Sequence, residues 1–355
     1  MNKRSQAFLT QLINAISPSG YEDEAARVWI EEARTFADDI RRDSHGNANA
    51  VINAGGAPRI MLSGHYDEIG FLISHISEDG YLWIQPIGGW DAQIPQGQHV
   101  VIRGRKGHVH GVIGKCPIHL LKSEARSKVT KLEEQWVDIG AKDRKAAEKY
   151  VSVGDPMVID RGMHHLQGSL VAGRGFDNRA GAFAVLEAAR LLAKLKPEAE
   201  VHAVATVQEE IGLRGARTAA YGVDPHVGIA VDVTFATDYP SMGDATKKFG
   251  QVKVGKGVVI TRGPNINPRL FDLMVETAQK KKIAHQICAE SRPTGTDANA
   301  IQVSRAGVAT GLLSIPNRYM HTPCEVVSLD DLMATAELMA HTCARIRVDT
   351  DFIPF

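Results

Sequence analysis

Neither sign of charge is in excess: 41 Lys and Arg stand against 41 Asp and Glu, a formal net charge of zero. Without a basic surplus there is nothing to track a phosphate backbone, so nucleic acid is not expected as a partner. Long apolar runs are also missing. The greasiest stretch, FAVLEAARLLA, is interrupted by Glu187 and Arg190 and falls short of the ~18 residues a spanning helix needs, so no membrane segment is expected. The opening MNKRSQAFLTQLINAI carries Gln and Asn inside its apolar part and is followed by SPSGYEDE, unlike an export signal. Cysteine is sparse: Cys116, Cys288, Cys324 and Cys343 form no CxxC pair, which excludes a disulfide scaffold and fits reduced thiols in the cytoplasm.

What is present suits an ordinary core. The 355 residues are 44% apolar, enough for about two domains. Helical periodicity in SQAFLTQLINAI and EDEAARVWIEEARTF is followed by the strand-like runs ANAVINA and RIMLSGH. From Gly70 to Gly162 the texture changes to short strands broken by glycines, as in FLISHI, YLWIQPIGG and HVVIRGRKGHVHGVIG. Inside it, LLKSEARSKVTKLEEQW mixes charges without a period and reads as a solvated helix or loop. Beyond, strand and helix alternate again: helix over 178–196, strands in VHAVATV and HVGIAVDV, helix over 268–282, strand in TGLLSI and helix over 329–346. The expected fold is an α/β catalytic domain (1–69 and 163–355), a mixed central sheet flanked by helices in three layers, with a small inserted all-β domain (70–162).

Five segments concentrate His, Asp and Glu at or just after strand ends: GHYDEIG (His65, Asp67), GRGFDNRAG (Asp177), TVQEEIGLRG (Glu209, Glu210), IAVDVT (Asp232) and RYMHTPCE (His321). In an open α/β sheet, ligands sit in the crevice beyond the carboxyl ends of the strands, so these groups can converge. Any one histidine there could be an ordinary hydrogen-bonded residue. The acids are harder to dismiss, because Glu209 and Glu210 follow a run that should be buried and Asp232 lies within another. Arg179 and Arg214 could meet part of that charge, whereas divalent cations would satisfy all of it. Carboxylates and imidazoles without cysteine suit Zn²⁺, Co²⁺ or Mn²⁺. With His65, Asp177 and Asp232 on one ion, and Asp177, Glu210 and His321 on the other, two cations against three carboxylates leave one positive charge. A single hydroxide neutralises it. Glu209 is then free to act as general base, and Asp67 can orient His65.

Ten segments in order, among them GHYDEIGF, IGGWDAQIPQGQHV, GRGFDNRAGAFAVLEA, VQEEIGLRGA, PTGTDANAIQVSRAG and SIPNRYMHTPCEVV, make the chain resemble the TET-type, deblocking or glutamyl aminopeptidases. The resemblance covers nearly the whole length. It implies the same ligand set with Glu209 as base, two divalent metal ions per subunit and a cis peptide from Asp177 to Asn178. It also implies removal of N-terminal residues from short peptides by a hydroxide bridging the ions, and assembly through the insert into dimers and a tetrahedral dodecamer. Rival readings are a metal-dependent deacylase of acylated amino acids, a metal-free glycosidase working through Glu209 and Glu210, and a non-catalytic metal-stabilised cage. Arg214 reads as a surface or structural residue, with contact to an acidic substrate as the alternative.

Overall fold

The computed structural model describes residues 1–354. Its centre is an eight-stranded sheet in the order Asp39–Arg42, Ala48–Ile52, Glu200–Thr206, Arg59–His65, Val227–Phe235, Ala309–Asn317, Val258–Arg262, His285–Ala289. The four middle strands run parallel. Ala48–Ile52 and Val258–Arg262 join them antiparallel, so the sheet is mixed. The middle strands read as continuous apolar runs because helices cover both faces.

Two glycines mark how close that cover is. A Cβ on Gly64 would lie 2.6 Å from the Gly181 carbonyl carbon, where the helix Phe176–Leu195 crosses the sheet. On the other face, a Cβ on Gly228 would lie 2.7 Å from Ile301, in the short helix Asp297–Ile301. The helix Phe176–Leu195 packs with Lys3–Asn14, Asp23–Ala33 and Leu329–Cys343, and Trp29 donates its indole N–H to the Ala182 carbonyl at 3.0 Å. The three-layer α/β arrangement read from the sequence is what the chain forms.

Between Gly70 and Ile159 six short strands close a barrel with its own core of Phe71, Ile73, Leu82, Val100, Ile102, Val137 and Met157. This is the inserted all-β unit. The charged stretch within it forms short 3₁₀ turns at Ser123–Ala125 and Leu132–Glu134 rather than a helix. Two buried arginines clamp the crossings between barrel and sheet: Arg174 Nη1 and Arg179 Nη2 reach Glu68 Oε1 at 2.5 and 2.7 Å. Glu68 precedes the first barrel strand and Arg174 follows the returning strand Leu170–Gly173.

Some expected boundaries move. The helix expected over 178–196 spans Phe176–Leu195 and so includes Asp177 and Asn178, which keep non-helical backbone angles. The last helix stops at Cys343, not 346, and the one from Pro268 ends at Lys281 because Lys282 turns left-handed (φ 55°). Among the described residues no helix is long and apolar enough to cross a membrane.

Candidate metal centre

The parallel strands deliver their chemistry at one edge. His65 is the last residue of Arg59–His65, Glu209 and Glu210 follow Glu200–Thr206, Asp232 lies near the end of Val227–Phe235, and His321 follows Ala309–Asn317. Asp177 enters from the start of its helix, where the peptide to Asn178 is cis, as the resemblance implies. The Asn178 amide donates to Val231 O at 2.7 Å and accepts from Gly181 N at 3.0 Å, seating this turn beside Asp232.

Three carboxylates surround His65 Nε2: Asp177 Oδ1 at 3.4 Å, Glu209 Oε2 at 3.6 Å and Asp232 Oδ1 at 3.8 Å. Two surround His321 Nε2: Asp177 Oδ2 at 3.3 Å and Glu210 Oε2 at 3.6 Å. Asp177 thus turns one oxygen to each imidazole. Two groups of donor atoms are compact enough to hold a cation, His65 with Glu209 and Asp232, and Asp177 with Glu210 and His321. In the first of these Glu209 stands where the sequence reading puts Asp177. Distance leaves both in reach of His65, but only Asp177 also faces His321.

Each ring is fixed from behind. His321 Nδ1 lies 2.9 Å from the Gly89 carbonyl, and His65 Nδ1 lies 3.2 Å from the Asp67 carbonyl and 3.4 Å from its carboxylate. A carbonyl can only accept, so Nδ1 carries a proton and Nε2 is the ring atom turned toward the cleft. Asp67 is fully buried and does more than orient His65: it accepts from Ser19 Oγ and from the backbone N–H groups of Glu209 (3.1 Å) and Glu210 (3.2 Å). Gln208, immediately before that pair, adopts φ 55°, and His321 adopts φ 60°, left-handed conformations of the kind that gather at functional sites.

The charge balance calls for cations. Burial, with the Asp232, Asp297 and Glu210 carboxylates adding to it and His65 opposing, pushes Glu209 up to about 10. Burial and neighbouring carboxylates hold Glu210 and Asp232 well above the carboxylate range. Burial also works against ionised Asp177, but both imidazoles draw it below its usual value. His65 resists desolvation and is raised by Glu209 and Asp67, while His321 is raised chiefly by its bond to Asp177. Glu210 Oε1 is buried without any hydrogen-bond partner. The arginines expected to help do not: Arg179 is committed to Glu68 and to the carbonyls of Tyr66, Ile13 and Ala15, and Arg214 is exposed and away from the cleft lining. Unpaired oxygen donors and two preset imidazoles are a donor set that fits hard or borderline divalent ions.

One participant escapes the sequence reading. Glu325, buried, accepts from Asp177 N at 2.9 Å through one oxygen and from His321 N at 3.1 Å through the other. Its signal is visible afterwards: an acid four residues beyond His321, directly before the buried run VVS.

The family model for M42 glutamyl aminopeptidases matches residues 46–338. Lysyl aminopeptidase of Pyrococcus furiosus is 38% identical over 353 residues, 98% of this chain and 99% of that one. The crystal structure of a TET aminopeptidase from the marine sediment archaeon Thaumarchaeota archaeon SCGC AB-539-E09 superposes with a TM-score of 0.92 at 34% identity, covering 98% and 97% of the two chains. The TET1 peptidase of Pyrococcus horikoshii, which can assemble into a tetrahedron or a large octahedral shell, superposes with a TM-score of 0.86 at 32% identity, covering 96% and 100%. With its fold, its convergent acids and imidazoles and these matches across nearly its whole length, the chain belongs to the M42 glutamyl aminopeptidase family of metal-dependent aminopeptidases.

Proposed function

We infer that the cleft hydrolyses the first peptide bond of short peptides with two divalent metal ions, zinc or cobalt foremost and manganese as the third choice. The observation that carries this reading is the carboxylate of Asp177, with one oxygen toward His65 and the other toward His321. His65, Asp177 and Asp232 would hold one ion, and Asp177, Glu210 and His321 the other. When bound, the ions supply Lewis acidity, polarising the scissile carbonyl and acidifying the attacking water.

Glu209 is left to move the proton. Its carboxylate borders the cleft and does not reach both imidazoles as Asp177 does. It takes a proton from the water and delivers it to the departing amine. Asp67 holds the backbone of Glu209 and Glu210 in place, and Glu325 does the same for Asp177 and His321.

A glycosidase working through Glu209 and Glu210 would leave both oriented imidazoles without a task, and it would survive chelation. A deacylase of acylated amino acids would share this metal core and is separated by substrate. The experiment is a set of aminoacyl-p-nitroanilides with Co²⁺ or Zn²⁺, before and after chelation. Release of nitroaniline that chelation stops and metal restores supports the reading. Silence with every substrate and either metal overturns it. By the same reasoning the exposed apolar side chains of the insert, Ile118, Leu120 and Val129, are read as the contact through which subunits pair and build larger shells in the cytoplasm.

A further inference from the structure

Where the strand Glu200–Thr206 ends, the next four backbone amides donate to side chains rather than to backbone carbonyls. Val207 N reaches Asn47 Oδ1 at 3.0 Å and Gln208 N reaches Glu22 Oε1 at 3.1 Å; Glu209 N and Glu210 N reach the two oxygens of Asp67 at 3.1 and 3.2 Å. The acceptors come from three segments far apart in the chain, and all three are buried. Amides this deep must be paired, and side-chain partners fix the course of this turn residue by residue. Asp67 also touches His65, whereas neither Glu22 nor Asn47 lines the cleft. Both are themselves tied down. Glu22 Oε1 accepts as well from Gly20 N at 2.7 Å, and Ser19, three residues earlier, donates to Asp67. Asn47 Nδ2 lies 2.6 Å from Asp43 Oδ2, 2.9 Å from Thr218 Oγ1 and 3.0 Å from the Gly215 carbonyl, so one side chain spans the turn from its first residue to the helix Arg214–Val223.

The turn is held in a conformation it would not choose alone. Gln208 sits at φ 55°, which a Cβ disfavours, and the amides on either side of its α-carbon are the ones given to Glu22 and Asp67. We propose that Glu22 and Asn47 are positioning residues for the reaction: by holding the Gln208 and Val207 amides they set where Glu209 and Glu210 stand relative to His65 and His321. Both acids lie 3.6 Å from their imidazoles, and a turn that relaxes by about 1 Å would carry them off together, a displacement that can cost about a hundredfold in rate. Burial, with Asp67 adding to it, pushes Glu22 up to about 7 although the amides of Gly20 and Gln208 draw it down. What the turn needs from Glu22 is therefore an oxygen more than a charge.

The proposal rests on the aminopeptidase reading, and one experiment separates their failures. For wild type, Glu22→Ala, Glu22→Gln, Asn47→Ala and the double variant Glu22→Ala with Gln208→Gly, kcat and KM are measured on an aminoacyl-p-nitroanilide. Co²⁺ affinity is titrated against a chelating indicator beside them. Glu22→Ala and Asn47→Ala should lose about 10- to 100-fold in kcat with KM little changed, and should bind Co²⁺ about tenfold more weakly because Glu210 moves too. Glu22→Gln, which keeps an oxygen for the amide, should recover most of both. Glycine reaches φ 55° without a Cβ to clash, so the double variant should regain part of the loss, which a role confined to folding would not allow. Alanine variants with wild-type kcat and Co²⁺ affinity, a Glu22→Gln as impaired as Glu22→Ala, or a double variant without recovery overturns the proposal and leaves the peptidase reading intact. A wild type that binds Co²⁺ but cleaves nothing overturns the peptidase reading, and the Co²⁺ titrations still decide whether Glu22 and Asn47 hold the turn. Should Glu22→Ala fail to fold, Glu22→Asp, whose carboxylate stops one methylene short of the amide, takes its place with the same loss expected.

Discussion

At the scale of single residues, adjacent acids in one turn are proposed to carry different tasks. Glu210 faces His321 and Asp177, whereas Glu209 faces His65 and Asp232, away from His321, and borders the open cleft. Replacing Glu209 by Gln should therefore keep both metals while kcat falls by about 10²- to 10⁴-fold, the range for losing a positioned general base. Asp177→Ala should lose metal as well as turnover. Metal analysis by mass spectrometry beside the kinetics checks the pair, and a Glu209→Gln protein as metal-poor as Asp177→Ala would place Glu209 among the ligands. Asp67 acts one step removed, through His65 and the Glu209 and Glu210 amides. Asp67→Asn should weaken metal affinity about 10- to 100-fold, read by titration against a chelating indicator, as for other groups that orient ligands.

At the scale of elements, the site depends on how closely one helix lies on one strand. Gly64 precedes His65 and touches the backbone of Gly181. Gly64→Ala should push the helix that carries Asp177 away from the strand that carries His65, costing about 1–3 kcal/mol by overpacking. Thermal unfolding would register the loss, and activity should fall further than stability alone explains. A second joint ties the loops flanking the cleft: Arg318 grips Asp238 with Nε at 2.8 Å and Nη2 at 2.6 Å. Burial pushes the Asp238 carboxyl up, but the Arg318 bonds outweigh it and hold the carboxyl below its ordinary value. A depressed carboxylate contributes stability above its unfolded value near ~4 and loses it as pH falls through the folded one. Asp238→Asn should accordingly be less stable than wild type by about 1–3 kcal/mol near neutral pH. The gap should close in melts taken at progressively more acid pH, and a gap that persists in strong acid would contradict the assignment.

Elements were legible where patterning was strong and local. RIMLSGH, VHAVATV and HVGIAVDV are the middle strands because only a doubly covered sheet buries such continuous runs. The helix Arg214–Val223 is amphipathic but buries only small residues, Gly215, Ala216, Ala219 and Ala220, so a search for large apolar side chains passes it over, and Asp297–Ile301 is five residues long and set by packing against the sheet. The edge strand HQICA mixes polar and apolar residues because its burial is only partial. The acids and imidazoles of the site could be picked out from their positions at strand ends. The groups behind them, Ser19 and the Gly89 carbonyl, could not, since long-range contacts alone bring them there, while Glu325 leaves one local sign, its place four residues beyond His321.

At the scale of the whole molecule, barrel and sheet are two cores joined through Glu68, Arg174 and Arg179, and the barrel loop reaches back to steady His321 through Gly89. The insert also exposes Leu120 at 76% and Ile118 at 52%. If those side chains join subunits, the double change Ile118→Glu with Leu120→Glu should convert a large assembly into smaller species on light scattering after size exclusion. A mass unchanged from wild type would rule this contact out.

The proposed reaction needs Asp177 between two cations. Its most direct measurement is anomalous scattering from a crystal grown with Zn²⁺ or Co²⁺. Two peaks about 3.5–4 Å apart are predicted. Each should lie about 2.0–2.2 Å from an Asp177 oxygen, one beside His65 and Asp232 and the other beside His321 and Glu210. A single peak, or two peaks bridged by Glu209 with Asp177 standing apart, would contradict it.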